Sequence, residues 1–229
     1  MTDSVQKSDL PSVRGRYAED EPLGRKSWFR CGGAAQVLFK PADREDLQDF
    51  LKHYNPSPSP LNPSDFAGPL PLPLGEGDPS GCEDRVRGYD LHVFGALSNT
   101  IIRDGGVPGV SLRLGRTFAD IETDGEYVHA GALALDANVA RVAAEAGIAG
   151  LEFFSGIPGS IGGALKMNAG CYGSETKDVL VEARAVDRQG SLHTLTPEQM
   201  CMTYRYCGVP DDTIFIGATF KGQKDNPEK

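Results

Sequence analysis

The chain has 229 residues, 39% hydrophobic and 24% charged, enough apolar mass for a globular core in one large domain or two small ones. A formal net charge of −9 with no basic stripe excludes a nucleic-acid binder. No apolar run approaches the ~18 residues that span a bilayer, so no membrane segment is expected.

The five cysteines (Cys31, Cys82, Cys171, Cys201, Cys207) are odd in number and form no C-x-x-C pair, which argues against a disulfide framework or a zinc site. The first 25 residues lack an apolar leader, and a reducing cytoplasm is the expected compartment.

In chain order, residues 1–26 read as a polar arm. Ala34 to Lys40 reads as a strand, followed by a helix that Asp43 caps and that presents Leu47, Phe50 and Leu51 on one face. Residues 55–88 form a Pro-rich insertion: eight of the sixteen prolines fall between Pro56 and Pro79, a composition that points to a loop or linker. Strands are predicted at Leu91–Phe94, Val110–Leu114, Phe118–Glu122 and Tyr127–Ala130. A helix over Asp136–Gly147 turns Val139, Ala140, Ala143 and Ala144 inward and stops at Gly147. Val179–Val186 and Thr213–Phe220 are further strands. Thr196 and Gln199 have capping-box spacing. Strands outnumber helices, so the class is α+β rather than doubly wound. The four histidines have no metal-ligand spacing and read as structural; no metal site is expected.

Three segments carry possible chemistry. Phe94-Gly95-Ala96-Leu97-Ser98-Asn99 follows a strand, and its small residues let the backbone approach a ligand and present N–H groups to a pyrophosphate; an ordinary strand-end turn is the alternative. From Gly156 to Gly173, Gly fills six of eighteen positions. Within this run Ser160 is positioned to cap a short helix whose first N–H groups suit a diphosphate, with a glycine-rich packing loop as the alternative. In Tyr204-Arg205-Tyr206 an arginine between aromatics is either aimed at a carboxylate or stacked at the surface.

These segments resemble the UDP-N-acetylenolpyruvoylglucosamine reductase family of peptidoglycan synthesis. The match runs through Ser27-Trp28-Phe29-Arg30-Cys31-Gly32-Gly33-Ala34-Ala35, Ser98-Asn99-Thr100-Ile101-Ile102-Arg103-Asp104-Gly105-Gly106, Gly150-Leu151-Glu152-Phe153 and Gly156-Ile157-Pro158-Gly159-Ser160-Ile161-Gly162-Gly163-Ala164. It continues in Met167-Asn168-Ala169-Gly170-Cys171-Tyr172-Gly173 and closes at Tyr204-Arg205-Tyr206. The resemblance implies a two-lobed FAD-binding domain of the vanillyl-alcohol-oxidase (PCMH) type, a small β-α-β lobe over 27–95 and a larger lobe with an antiparallel sheet over 96–222. Residues 223–229 then form a tail where the family's substrate domain would begin.

FAD binding is implied for Gly95, Ala96, Ser98 and Asn99, for Ile157, Gly159, Ser160, Gly162 and Gly163, and for Asn168 and Gly170. Tyr172, Tyr204 and Arg205 are implied on the substrate side, with Arg205 as the catalytic arginine. The family reaction uses NADPH to reduce FAD, and the flavin then reduces the enolpyruvyl group of the UDP-sugar to give UDP-N-acetylmuramate. The expected partner is that UDP-sugar, with no nucleic acid or membrane, and the expected state is a monomer.

Two departures stand out. Leu97 occupies a position where the family has glycine, which predicts weakened or shifted pyrophosphate binding. No residue matches the family's proton-donor serine or its glutamate, so the expectation is either a fragment or a reduced relative. The alternatives to the reductase are a non-catalytic flavin- or sugar-nucleotide-binding remnant and another flavin oxidase of the same fold.

Overall fold

The computed structural model describes residues 7–54 and 91–225, and the Pro-rich insertion and the last four residues lie outside them. The described chain forms two sheets. The first has the order β1-β2-β4-β3, with β1 at Arg16–Glu21, β2 at Ala35–Lys40, β3 at Leu91–Phe94 and β4 at Val107–Arg113. β1 is antiparallel to β2, whereas β2 and β3 run parallel to β4.

β2 is flanked on both edges and buries both faces. Leu38 packs with Leu23, Ala35, Leu97 and Ile102 on one side, while Phe39 joins Leu47, Phe50 and Leu51 on the other. Those three residues lie on helix α2 (Arg44–His53), which Asp43 caps by accepting the N–H of Asp46 at 2.9 Å. The capping residue and the apolar face are those expected.

The second sheet is antiparallel throughout, in the order β11-β10-β12-β6-β5. It is built from β5 (Ile121–Asp124), β6 (Tyr127–Gly131), β10 (Leu180–Val186), β11 (Leu192–Leu195) and β12 (Ile214–Lys221). Helix α3 (Asp136–Glu145) and the short α4 (Ile161–Met167) pack on it, and Phe154 meets Phe220 edge-on at 5.1 Å. Two small ribbons complete the lobe. β7 (Ile148–Ala149) pairs with β13 (Gln223–Lys224), and β8 (Gly170–Cys171) pairs with β9 (Ser174–Glu175). The α+β class and the division into two lobes follow the expectation. No helix of the described residues is long and apolar enough to cross a membrane.

Five local expectations are corrected. The polar arm is built into the first sheet from Arg16 onward. The buried Asp46 carboxylate accepts the N–H groups of Arg14 at 2.6 Å and Gly15 at 2.9 Å, and α1 (Leu23–Lys26) buries Leu23 completely. The lobe boundary moves from residue 95 to beyond Arg113, because β4 pairs with β2 and β3 rather than with the second sheet. Residues expected as a strand over Phe118–Glu122 begin as a 3-10 turn at Arg116–Phe118, which sends Phe118 into the core. α3 ends at Glu145 with Ala144 on its exposed side, and Gly147, at φ +66°, makes the stop. At Thr196 the capping-box bond forms, with the Thr196 N–H donating to Gln199 Oε1 at 2.9 Å, but it closes a single turn, not a helix.

Candidate functional site

The loop after β3 faces the glycine-rich segment across a cleft. Leu97 organises that loop. At φ +58° it is in the left-handed region, and its side chain, 2% exposed, fills the apolar cluster on the outer face of the first sheet. Its carbonyl accepts the N–H of Trp28 at 3.1 Å. A left-handed residue between right-handed neighbours turns successive N–H groups into one concavity. Among the described residues no acceptor takes the N–H groups of Ala96, Ser98 or Asn99. The Leu97 side chain thus packs into the core and not into the cleft.

The opposite wall is 157–168. Of the first three N–H groups of α4, Ile161 donates to Ala134 O at 3.0 Å and Gly162 to Ala132 O at 2.8 Å, whereas that of Gly163 has no acceptor among the described residues. Ser160 occupies the N-cap position without capping, and its hydroxyl is buried with no partner. That hydroxyl lies 3.0 Å from where a Cβ on Gly95 would stand. Gly163 has nothing within 4 Å of a Cβ position, so it opens directly on the cleft. Asn99 Nδ2 reaches Met167 Sδ at 3.3 Å and links the two walls.

Two adjoining cavities follow this cleft. One, of about 320 Å³, takes in Gly95, Ala96, Ser160 and Gly162. The other, of about 790 Å³, takes in Ile157, Gly159, Asn168, Gly170, Tyr204 and Arg205. Ser98, Asn99, Gly163 and Met167 belong to both. The sequence thus points to residues that the fold gathers into one place.

Asn168 is reassigned. At φ +42° it ends α4, and it is 1% exposed. Its amide donates to Glu175 Oε2 at 3.0 Å and to Thr203 O at 2.9 Å, and its Oδ1 accepts the Lys177 N–H at 2.9 Å. All its polar capacity except one lone pair is engaged within the protein, so its amide holds the wall together. What it positions is a four-residue turn. Thr203 and Tyr206 exchange both backbone bonds at 3.0 Å, with Arg205 at φ +52°. The Arg205 guanidinium lies 5.4 Å from the Tyr204 ring centroid, exposed at the cavity wall. Stacking and placement at the site, weighed above as alternatives, occur together.

Tyr172 and Gly173, both at positive φ, make the two-residue turn between β8 and β9. Tyr172 is 80% exposed, its ring against Gly156, so it stands at the rim and not in the wall.

Sequence reasoning missed Asp136, Glu175 and Lys177, which also line the larger cavity. Lys177, bonded at 2.7 Å, and Asn168 hold the Glu175 carboxyl below its usual range. Asp136 is different. It is completely buried, neither carboxylate oxygen has a partner among the described residues, and burial pushes it up to about 7. An acid at the first position of a helix reads in sequence as an ordinary helix start, so only its burial gives it away.

Residues 85–196 match the FAD binding domain family. The UDP-N-acetylenolpyruvoylglucosamine reductase of Parvibaculum lavamentivorans is 50% identical over 220 residues, 96% of this chain and 61% of that protein. The reductase of Rhodospirillum rubrum is 48% identical over 94% of this chain and 58% of its own length. The chain therefore spans about three fifths of these relatives. Among solved structures, the UDP-N-acetylenolpyruvylglucosamine reductase of Thermus caldophilus superposes with a TM-score of 0.70 at 26% identity, over 95% of this chain and 65% of that one. A cholesterol oxidase from Brevibacterium sterolicum, TM-score 0.56 at 15% identity over 94% of this chain and 40% of its own, shares the fold alone.

Proposed function

We propose that this chain, a relative of the UDP-N-acetylenolpyruvoylglucosamine reductases along nearly its whole length and carrying an FAD-binding domain, works as the flavin-binding part of such a reductase. The observation that carries the reading is the cleft itself. Ala96, Ser98 and Asn99, whose N–H groups have no acceptor among the described residues, line the same cavity as the orphaned Ser160 hydroxyl and Gly163. This donor set fits a diphosphate, and the glycines leave space that a Cβ would fill. FAD bound here would supply hydride transfer, taken from NADPH and given to the enolpyruvyl double bond of a UDP-sugar in peptidoglycan synthesis.

The chain's own residues would do the rest. Loop 95–99 anchors the diphosphate. Asn168 fixes the 203–206 turn, and the stacked Arg205 guanidinium, planar and permanently charged, meets the substrate carboxylate. Negative charge grows toward that carboxylate as hydride arrives, so a cation fixed beforehand stabilises the transition state more than the ground state.

The test is anaerobic. The purified chain is loaded with FAD, bleached with NADPH, then given the enolpyruvyl UDP-sugar. Bleaching followed by substrate-dependent reoxidation is the expected result. Bound FAD without reoxidation would favour a non-catalytic remnant, and failure of folded chain to bind FAD would remove the reading. Arg205→Lys is expected to slow reoxidation on the order of a hundredfold while FAD affinity stays within about twofold. Equal reoxidation rates would take Arg205 out of the chemistry. Gly163→Leu is expected to separate binding from folding. FAD affinity, read by fluorescence quenching, should fall at least about tenfold, while the thermal midpoint holds or rises, since leucine is a better helix former by about 0.8 kcal/mol. A parallel fall in both would mean that the site is packing.

A further inference from the structure

Asp136 has no role in the reading above. Its carboxyl lies beneath the cleft, where Oδ2 is 2.9 Å and Ser98 Oγ 3.7 Å from the same point, the Cβ that Gly159 lacks. Both oxygens are buried without a partner among the described residues, and the residue lines the larger cavity. Polar groups buried in this way are costly unless something pairs with them.

No cation sits beside it. The adjoining loop contributes Ser98 and Asn99, and the glycine-rich segment Ile157 and Ser160, none of them charged; the charged groups of the smaller cavity are Lys166, bonded to Pro210 O and Asp211, Arg188, paired with Asp212, and Asp211 itself. On its own helix Arg141 pairs with Glu145 at 2.6 Å, and on β6 His129 is bonded to Thr219. The charged and titratable groups of the far wall are Cys171, Glu175, Lys177, Asp178 and Arg205.

We infer that Asp136 binds the cofactor's diphosphate in its acid form, its O–H donating to a phosphoryl oxygen, so that FAD binding takes up a proton from solvent above neutral pH. Burial without a cation already disfavours the carboxylate, and an arriving diphosphate disfavours it further, so the neutral acid is the form that fits beside the anion. The burial-raised value of about 7 leaves the free group divided between the two forms at neutrality. The diphosphate diester itself stays ionised across this range, so the proton must go to the protein. The inference rests on the FAD reading of the same cleft.

The experiment is calorimetric titration of the 229-residue chain with FAD. It is run between pH 5.5 and 8.5 in buffers of different ionisation enthalpy, beside Asp136→Asn, whose amide keeps a donor and cannot titrate. For the natural chain, uptake should approach one proton per FAD at the alkaline end and vanish at the acid end, with affinity falling about tenfold per pH unit once the free group is ionised. For Asp136→Asn, affinity should change less than about twofold across the range. The far-wall groups are common to both proteins, so their contribution cancels in the comparison. Proton uptake near zero at pH 8.5, proton release, or the same pH profile in Asp136→Asn would each overturn the inference while leaving FAD binding intact. Absence of FAD binding by folded protein at every pH would instead overturn the cofactor reading, and this inference with it. The natural chain's proton count stands whether or not the variant folds.

Discussion

Asn168→Ala is expected to lower the unfolding free energy by about 3–4 kcal/mol and to loosen the Arg205 turn. The change removes three hydrogen bonds, each with a net value of about 1 kcal/mol. It also places alanine at φ +42°, where a Cβ residue without asparagine's local hydrogen bonding costs about 1 kcal/mol. Asn168→Gly separates these contributions. Glycine adopts the left-handed region freely, so it should recover about 1 kcal/mol relative to alanine while the lost bonds stay lost. The loosening has its own readout. Arg205 is exposed but held in a closed turn whose Thr203 carbonyl is tied to Asn168, so trypsin should cut after Arg205 faster in both variants than in the natural chain. If stability falls and cleavage at Arg205 does not change, Asn168 is a helix cap and not the link between the glycine-rich wall and the arginine.

How much of this was legible in the sequence depends on the range of the interaction involved. Asp43 before a 3.6-residue apolar pattern is a local signal, and α2 formed as read. The paired positive-φ residues at Tyr172 and Gly173 are local as well. Ser160 followed by Ile161 and Gly162 also looks local, yet the cap did not form. The first two donors of that helix bond instead to Ala134 and Ala132, on a segment brought alongside only by tertiary folding. The first strand was hidden for a related reason. As an edge strand with a wet face, Arg16–Glu21 has no apolar alternation, and what holds it is pairing with β2 and the Asp46 carboxylate, both distant in sequence. Leu97 shows the same limit at the site. A residue type that looks obstructive in a glycine-rich turn packs into the core once the backbone sign at that position is known.

Gly32→Ala is expected to unfold the first lobe, at a cost of about 4 kcal/mol, although Gly32 touches no part of the cleft. The run from Ser27 to Ala35 is the first segment of the family resemblance, and what the structure shows it doing is packing backbone against backbone. Gly32 sits at φ +98°, a conformation nearly reserved for glycine, and a Cβ there would fall 1.9 Å from Ile102 O. The strain and the collision act together, since relieving either moves the backbone into the other; each is on the order of 2 kcal/mol. Neighbouring contacts are equally close. Gly33 donates to Arg103 O at 2.9 Å, and a Cβ on Gly106 would fall 2.1 Å from Ala34 O. The two segments are interlocked backbone to backbone, and the Trp28 N–H to Leu97 carbonyl bond hangs the 95–99 loop from them. Loss of this lock should therefore abolish FAD binding at a distance. Gly105→Ala is the control in the opposing segment, with nothing within 4 Å of its Cβ position and an expected change below about 0.5 kcal/mol. Urea denaturation with FAD titration on both variants decides the matter. If Gly32→Ala folds normally and loses only FAD, the glycine serves the ligand directly and the interlock is not what the motif encodes.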